Sequence, residues 1–168
     1  AYARNSIFAG MMPADIEKQF PQYWVGDIEE GGNNNFEAEL LAAQIKKVFR
    51  RDIKHEYFKI TQVQAARQLQ DNIFNCLNND LTVIVYNFID MLSHARTEME
   101  VLKELAGDEK AYRSLTRSWF ANSPLWAALE RVSEKDVKLI ITTDHGTIRV
   151  NTPVKVVGDR ETTSNLRY

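Results

Sequence analysis

Two short motifs in the chain each place an acidic side chain close to a histidine. In the first, Asp90 and His94 are four positions apart at the end of the apolar run 81–89. The second is the triplet Asp144-His145-Gly146, shortly after the apolar run 138–142. Carboxylate and imidazole groups are ligands of Zn²⁺ and similar ions, and residues four apart on a helix share a face. The motifs therefore predict metal ligation, although such an Asp is often a helix cap and such a His is often structural.

The two apolar runs are the elements that must position these motifs. Residues 81–89 are nearly continuously apolar and β-branched, which is typical of a strand buried on both faces; residues 138–142 are similar. The carboxyl ends of parallel strands lie at one edge of a sheet, where such folds bind ligands. We therefore expect the two motifs to meet there, with Gly146 allowing a sharp turn. Two of the three histidines lie in these motifs, which favours metal binding over coincidence.

Helical patterns separate the predicted strands. The predicted helices span residues 3–12, 15–20, 36–51, 63–77, 91–105, 109–120 and 125–133, and a short strand spans residues 55–60. Asn35 and Thr61 are predicted to cap the third and fourth helices, and Ser123 the last. Glu37 lies in the first turn of the third helix, where its charge suits the helix dipole. Strands separated by helices predict an α/β fold with a largely parallel sheet.

Composition limits the classes of function. The 168 residues are 44% hydrophobic and 26% charged, which is typical of a globular domain. A net charge of −2 gives no general electrostatic reason to bind nucleic acid or anionic membranes. No apolar run approaches the ~20 residues of a membrane-spanning helix, and the first residues lack a signal-peptide pattern. The single cysteine, Cys76, excludes an internal disulfide and fits a reducing compartment. We therefore expect a cytoplasmic location without membrane insertion.

Several other residues have competing interpretations. His55 lies in a charged, solvated stretch, which makes it a poor candidate ligand. Cys76 lies beside the apolar face of its helix, as a core thiol does. A cluster of large side chains could line a substrate pocket or stack on a base, but packing between helices is favoured; its members are Trp119, Phe120, Leu125 and Trp126.

Longer stretches of the chain resemble a known family. Residues 141–150, together with Asp90 and His94, resemble the PglZ domain of the alkaline-phosphatase superfamily. Residues 2–13 and 152–159 closely resemble the PglZ effector domain of a response regulator associated with type IX secretion. The resemblance runs along the whole chain. It implies a three-layer alkaline-phosphatase-like α/β domain, of which residues 1–168 would be an internal part that lacks the nucleophile strand and the C-terminal part.

The resemblance also implies a site with two zinc ions. Asp144 and His145 would hold one ion. Asp90 and His94 would hold the other. Two such ions, about 4 Å apart, clamp the attacking and leaving oxygens of a phosphoester. The nucleophile would be a Thr just before Ala1, so that no catalytic nucleophile is assigned within this sequence.

Arg4 and Asn5 would lie close in sequence to that Thr and could donate hydrogen bonds to a phosphate oxygen. An equally weighted alternative is that Arg4 pairs with a surface carboxylate. The implied activity is a zinc-dependent phosphodiesterase acting on nucleotides or oligonucleotides, as the effector of a two-component response regulator. Its partners would be a sensor kinase and secretion-regulation proteins. A homodimer is one option for the oligomeric state.

Two other functions remain open from the sequence. The same scaffold could carry a phosphomonoesterase or a phosphomutase. The domain could instead be a regulatory interaction module in which metal holds the fold with little turnover. Because the nucleophile, an early acidic ligand and a late histidine would lie outside the sequence, the isolated segment is expected to be inactive.

Overall fold

The computed structural model describes residues 2–25, 32–146, 152 and 154 of the chain. The α-helices in these ranges are α1 (Tyr2–Ala9), α2 (Pro13–Gln19), α3 (Glu37–Phe49), α4 (Val63–Asn72), α5 (Phe88–Glu98), α6 (Glu100–Leu105), α7 (Glu109–Ala121) and α8 (Pro124–Ser133). The strands are β1 (His55–Ile60) and β2 (Leu81–Tyr86). Short 3₁₀ helices span Pro21–Tyr23, Gly32–Phe36 and Ile73–Asn78.

The two strands form a parallel pair joined by a helical crossover. His55 is paired with Leu81 at one end, and Ile60 with Tyr86 at the other. The connection consists of α4 and the 3₁₀ helix Ile73–Asn78, so this part of the chain is a βαβ unit. The strand predicted at 55–60 is confirmed. The strand predicted at 81–89 is shorter than expected, because α5 already begins at Phe88.

Helices cover both faces of the sheet, as the alternation of strand side chains requires. On one face, Ile60 belongs to a core formed with α4, the 3₁₀ helix Ile73–Asn78 and α8, and Phe58, Ile84 and Tyr86 pack against it. On the other face, Tyr57, Val83 and Val85 pack against a core contributed by α1, α2 and α3. The described residues therefore form an α/β arrangement in three layers, and the predicted fold class is confirmed at that level.

The predicted helix caps had mixed outcomes. Ser123 caps α8, where its hydroxyl accepts a hydrogen bond from the backbone N–H of Trp126 at 3.1 Å. The prediction for Asn35 is wrong, because Asn35 already lies within the 3₁₀ helix that leads into α3. The prediction for Thr61 is also wrong, because the extended residue Gln62 takes the cap position of α4 without a side-chain hydrogen bond.

The predicted strand at 138–142 is not formed in the structure. This stretch lies exposed after α8, with Ile140 78% and Ile141 75% exposed. The run has the composition of a strand, but a strand also needs a neighbour that supplies hydrogen bonds. Among the described residues, β1 and β2 pair only with each other. No helix in the described ranges combines the length and the apolarity needed to cross a membrane.

Candidate metal centre

The first acid–histidine pair lies at the start of α5, where the chain leaves β2. The backbone N–H of Asn87 donates to the carbonyl of Ile60 at the end of β1 (3.1 Å). Its carbonyl accepts from the N–H of Met91 (3.0 Å), the first hydrogen bond of α5. Asp90 therefore lies in the first turn of the helix and His94 one turn later, with Oδ1 of Asp90 3.6 Å from Nε2 of His94. The strand-to-helix junction predicted from the sequence is present.

The second pair lies in the segment without regular secondary structure that follows α8. The Nδ1 atom of His145 is 2.9 Å from Oδ1 of Asp144. Its other ring nitrogen, Nε2, is 3.7 Å from Oδ1 of Asp90. The structure thus brings all four residues of the two motifs together at the carboxyl end of β2. It does so without the second strand that was expected to carry Asp144.

The carboxylates beside His145 determine which of its ring nitrogens could bind a metal ion. If Nδ1 carries the proton and donates it to Asp144, Nε2 has a free lone pair directed towards Asp90. A carboxylate that holds the other ring nitrogen is the common way in which proteins orient a metal-binding imidazole. The exposed fractions of the side chains are 29% for Asp144 and 40% for His145, so solvent and small ligands can reach the pair.

The donor types suit a metal ion such as Zn²⁺, and two of their separations are close to those between zinc ligands. Ligand atoms about 2.0–2.1 Å from a tetrahedral zinc ion are about 3.3 Å from one another. The distances from Asp90 to His94 and to His145, 3.6 and 3.7 Å, are close to that separation. Within the described ranges, however, no group of three or more His, Cys, Asp or Glu side chains is placed so that it could hold a metal ion. Metal ligation by the four residues therefore stays a prediction.

Gly146 does not have a left-handed φ, and the turn predicted after it involves residues 147–151, which lie outside the described residues. Among the described glycines, Gly10 alone has a left-handed φ, of 62°. A Cβ placed on Gly146 would meet no atom within 4 Å. In the described structure, neither the backbone conformation nor the surrounding space requires a glycine at position 146.

The two residues predicted to bind phosphate are held inside the fold. Nε of Arg4 lies 2.6 Å from Oε1 of Glu37, and Nη1 donates to Oδ1 of Asn87 at 2.7 Å. Arg4 thus pairs with a carboxylate, as the alternative interpretation had it, but Glu37 is a buried residue rather than a surface one. Asn5 is fully buried. Phosphate binding by Arg4 and Asn5 stays a prediction.

Glu37, which the sequence predicts only as a favourable charge in the first turn of α3, is buried among polar partners and linked to α5 through Arg4. Its carboxylate contacts Arg4, accepts a hydrogen bond from the hydroxyl of Tyr57, and lies 3.8 Å from Nζ of Lys59. Burial, together with the hydrogen bond to Glu37, raises the pKa of Tyr57 far above its usual value. The helical spacing of Glu37 with Leu40 and Leu41 placed it on the apolar face of α3, and that signal indicated burial.

The remaining candidates have structural roles in the described chain. Nδ1 of His55 is 2.8 Å from the carbonyl of Ile53. Cys76 lies in the core, and burial raises the pKa of its thiol.

The aromatic members of the cluster of large side chains pack between helices, which is the interpretation that the sequence favours. Phe88, at the start of α5, stacks on Trp119 with ring centroids 3.7 Å apart. Phe120 contacts Trp126 edge-on. Trp119 also lines an open groove of about 420 Å³ beside Arg67 and Asn122.

Comparison with known protein families matches residues 1–167 to the BREX system PglZ alkaline phosphatase-like domain. No curated protein matches the chain. The family match covers both acid–histidine motifs, α1 with Arg4, and the sheet that separates the two cores. It agrees with the α/β arrangement and indicates hydrolysis of phosphoric esters as the general chemistry. On this evidence, the chain belongs to the PglZ family of alkaline phosphatase-like domains.

Proposed function

We propose that this domain is part of a zinc-dependent phosphodiesterase that acts on nucleotide or oligonucleotide phosphodiesters. The observation that supports the proposal most directly is the position of Asp90, whose Oδ1 atom lies close to both His94 and His145. Two motifs from separate parts of the chain thereby present carboxylate and imidazole donors to one region. Membership of the PglZ family adds the expectation of phosphoester chemistry.

In this proposal, Asp144 and His145 hold one zinc ion. Asp90 and His94 hold the other. Bound zinc would supply positive charge and Lewis acidity at a phosphoester. Local charge of this kind lets a domain with a net charge of −2 accept an anionic substrate without a basic surface.

The chain's own residues would orient both the ligands and the substrate. Nδ1 of His145 lies beside Asp144 and Nε2 lies beside Asp90, so both ring nitrogens face candidate ligands. Arg4 would contribute guanidinium hydrogen bonds to a phosphate oxygen, which its planar shape suits. Asn5, in the same helix, would contribute its side-chain amide. A Thr that precedes Ala1 would be the nucleophile.

The biological setting that we propose follows from the closer resemblance, which is to the response regulator PorX. The domain would be the effector of a two-component response regulator in the cytoplasm, controlled by a sensor kinase and linked to type IX secretion. The residues that carry this part of the proposal are 2–13 and 152–159, whose sequences closely resemble that effector domain.

The metal content of the intact protein tests the proposal. We expect about two zinc ions per chain by mass spectrometry, and a loss of about one in each of the variants Asp90→Ala and Asp144→Ala. Asp136→Ala, which removes an exposed carboxylate near the second motif, should keep both ions. Protein that contains no zinc after purification without chelator, and takes up none when zinc is added, would refute the metal mechanism.

Turnover then distinguishes the kinds of esterase. Faster hydrolysis of a phosphodiester such as bis(4-nitrophenyl) phosphate than of the matching monoester supports the phosphodiesterase. The reverse preference supports a phosphomonoesterase on the same scaffold. Zinc binding without turnover of either compound, with partner binding retained in Asp144→Ala, supports the regulatory interaction module.

A further inference from the structure

A buried acidic side chain outside the candidate ligand set is linked to the start of α5 through Arg4 and Asn87. Glu37 is 1% exposed. Removing a carboxylate from water is costly unless charged or hydrogen-bonding groups compensate for it. Here Arg4, Tyr57 and Lys59 all contact it. These partners come from α1 and β1, so that Glu37 joins three elements at the carboxyl end of the sheet.

The guanidinium of Arg4 extends this network to the start of α5. Its Nε atom faces Glu37, and its Nη1 donates to the side-chain carbonyl of Asn87. A guanidinium is planar and its donors have fixed directions. An Arg4 side chain oriented by Glu37 therefore fixes the side chain of Asn87 as well.

Asn87 is the residue on which the position of the first acid–histidine pair depends. Its backbone N–H is tied to the carbonyl of Ile60, and its own carbonyl accepts the first hydrogen bond of α5, from Met91. Arg4 adds a third tie, through the side chain. Asp90 lies three residues further on, in the first turn of α5. A change in the backbone conformation of Asn87, which its side-chain tie to Arg4 opposes, would move that turn and change the distances from Asp90 to both imidazoles.

Stability alone explains a buried ion pair poorly. Replacing such a pair with apolar side chains of similar volume is often neutral or stabilising. A buried pair that also determines the geometry of a neighbouring site has a separate reason to be present. The contact between Arg4 and Asn87 provides that reason here.

We propose that Glu37 is a positioning residue, which orients Arg4 and, through Arg4 and Asn87, holds the first turn of α5 with Asp90 and His94. This inference rests on the proposed function only in so far as Asp90 and His94 bind zinc. Glu37 itself does not contact the metal or the substrate.

The test compares Glu37→Gln with Glu39→Gln in the intact protein. Both variants remove one negative charge from the first turn of α3, but the side chain of Glu39 is exposed. We expect Glu37→Gln to shift the NMR signals of the Asn87 side-chain amide and of the backbone amides of 88–91 in metal-free protein. Zinc affinity, measured by competition with a chelator, should fall about tenfold, because substitutions of residues that support metal ligands typically have an effect of this size. Glu39→Gln should change neither.

A second variant, Asn87→Ala, keeps the contact between Arg4 and Glu37 but removes the link to α5. It should weaken zinc binding as much as Glu37→Gln does, and the double variant should be no weaker than either single one. Zinc affinity at the wild-type level in folded Glu37→Gln overturns the inference. If Glu37→Gln does not fold, wild-type affinity in Asn87→Ala overturns it instead.

The same measurements separate this inference from the proposed function. If the unaltered protein binds no zinc, the metal mechanism fails, while the NMR signals of residues 87–91 still report whether Glu37 positions α5. Unchanged signals in Glu37→Gln then refute the positioning role. A loss of thermal stability in Glu37→Gln, with those signals and the zinc affinity unchanged, shows a purely structural role and also refutes it.

Discussion

The Oδ1 atom of Asp90 lies 3.7 Å from Nε2 of His145, and this contact joins the two acid–histidine pairs. Asp90 is held by the first turn of α5, which follows directly from the sheet. His145 lies in a segment without regular secondary structure, outside the described sheet, and its other ring nitrogen faces Asp144. In the described structure, side-chain contacts rather than strand pairing therefore connect the second motif to the first.

Asp90 should be the most sensitive residue of the candidate centre. Its carboxylate faces both imidazoles, whereas His94 faces Asp90 and is 68% exposed. We expect Asp90→Ala to weaken zinc binding more than His94→Ala, as measured by chelator competition. His55→Ala is the matched control, because His55 contacts the carbonyl of Ile53 and should leave zinc affinity unchanged. A larger effect of His94→Ala, or an equal effect of His55→Ala, would contradict this arrangement.

Tyr57 should make the stability of the fold depend on pH in the alkaline range. Burial and the hydrogen bond to Glu37 raise the pKa of its hydroxyl above the value of about 10 in an unfolded chain. Above about pH 10, the unfolded state loses the proton while the folded state keeps it, so the free energy of unfolding falls as pH rises. Below that pH, both states are protonated and the hydroxyl contributes no pH dependence.

Thermal unfolding measured from pH 8 to pH 11 tests this expectation. Tyr57→Phe should flatten the alkaline decline in Tm, with a smaller decline left because burial also raises the pKa of Tyr86 and of Cys76. At neutral pH, the same variant should be less stable by about 1.5–3 kcal/mol, since it loses a hydrogen bond to a charged group. Tyr112→Phe serves as the control. An alkaline decline in Tyr57→Phe as steep as in the unaltered protein would rule out this origin.

The hydroxyl of Ser123 should contribute measurably to stability as the cap of α8. It accepts a hydrogen bond from the N–H of Trp126, and the residue is buried. We expect Ser123→Ala to lower the free energy of unfolding by about 1 kcal/mol in urea denaturation. Ser114→Ala, an exposed change inside α7, should change it by less than about 0.5 kcal/mol. Equal effects of the two variants would mean that the cap contributes nothing.

The burial of Glu37 shows what the sequence could and could not predict. Its spacing with Leu40 and Leu41 follows the apolar face of α3, so burial could have been inferred from helical periodicity. Its partners could not, because Arg4 and Tyr57 lie in other elements and meet Glu37 only in the tertiary fold. The acid–histidine motifs were found because each is local in the sequence, and the helices because their periodicity is local too.

The stretch 138–142 shows that a local pattern can also predict an element that the structure does not form. Its composition predicts a strand, and strand composition is a local property. Whether a stretch forms a strand depends on a neighbour with free hydrogen-bonding groups, which composition does not report. Val63 is a smaller example: it lies on the predicted apolar face of α4 but is 63% exposed, because it is the first residue of the helix and extends past the core.

Gly10 should tolerate substitution poorly, because its backbone is left-handed where it ends α1, the helix that carries Arg4. Its φ of 62° is left-handed, and an added Cβ would collide with the side-chain amide of Gln44. The Gln44 side chain can rotate away, but the backbone strain of a non-glycine residue remains. We therefore expect Gly10→Ala to lower the free energy of unfolding by about 1–2 kcal/mol in urea denaturation.

Gly146→Ala is the control. It should leave the free energy of unfolding within about 0.5 kcal/mol, since nothing lies within 4 Å of the added Cβ. Equal stability of the two variants would contradict the left-handed conformation of Gly10. It would also contradict the path by which the chain leaves α1, the helix that places Arg4 against Glu37.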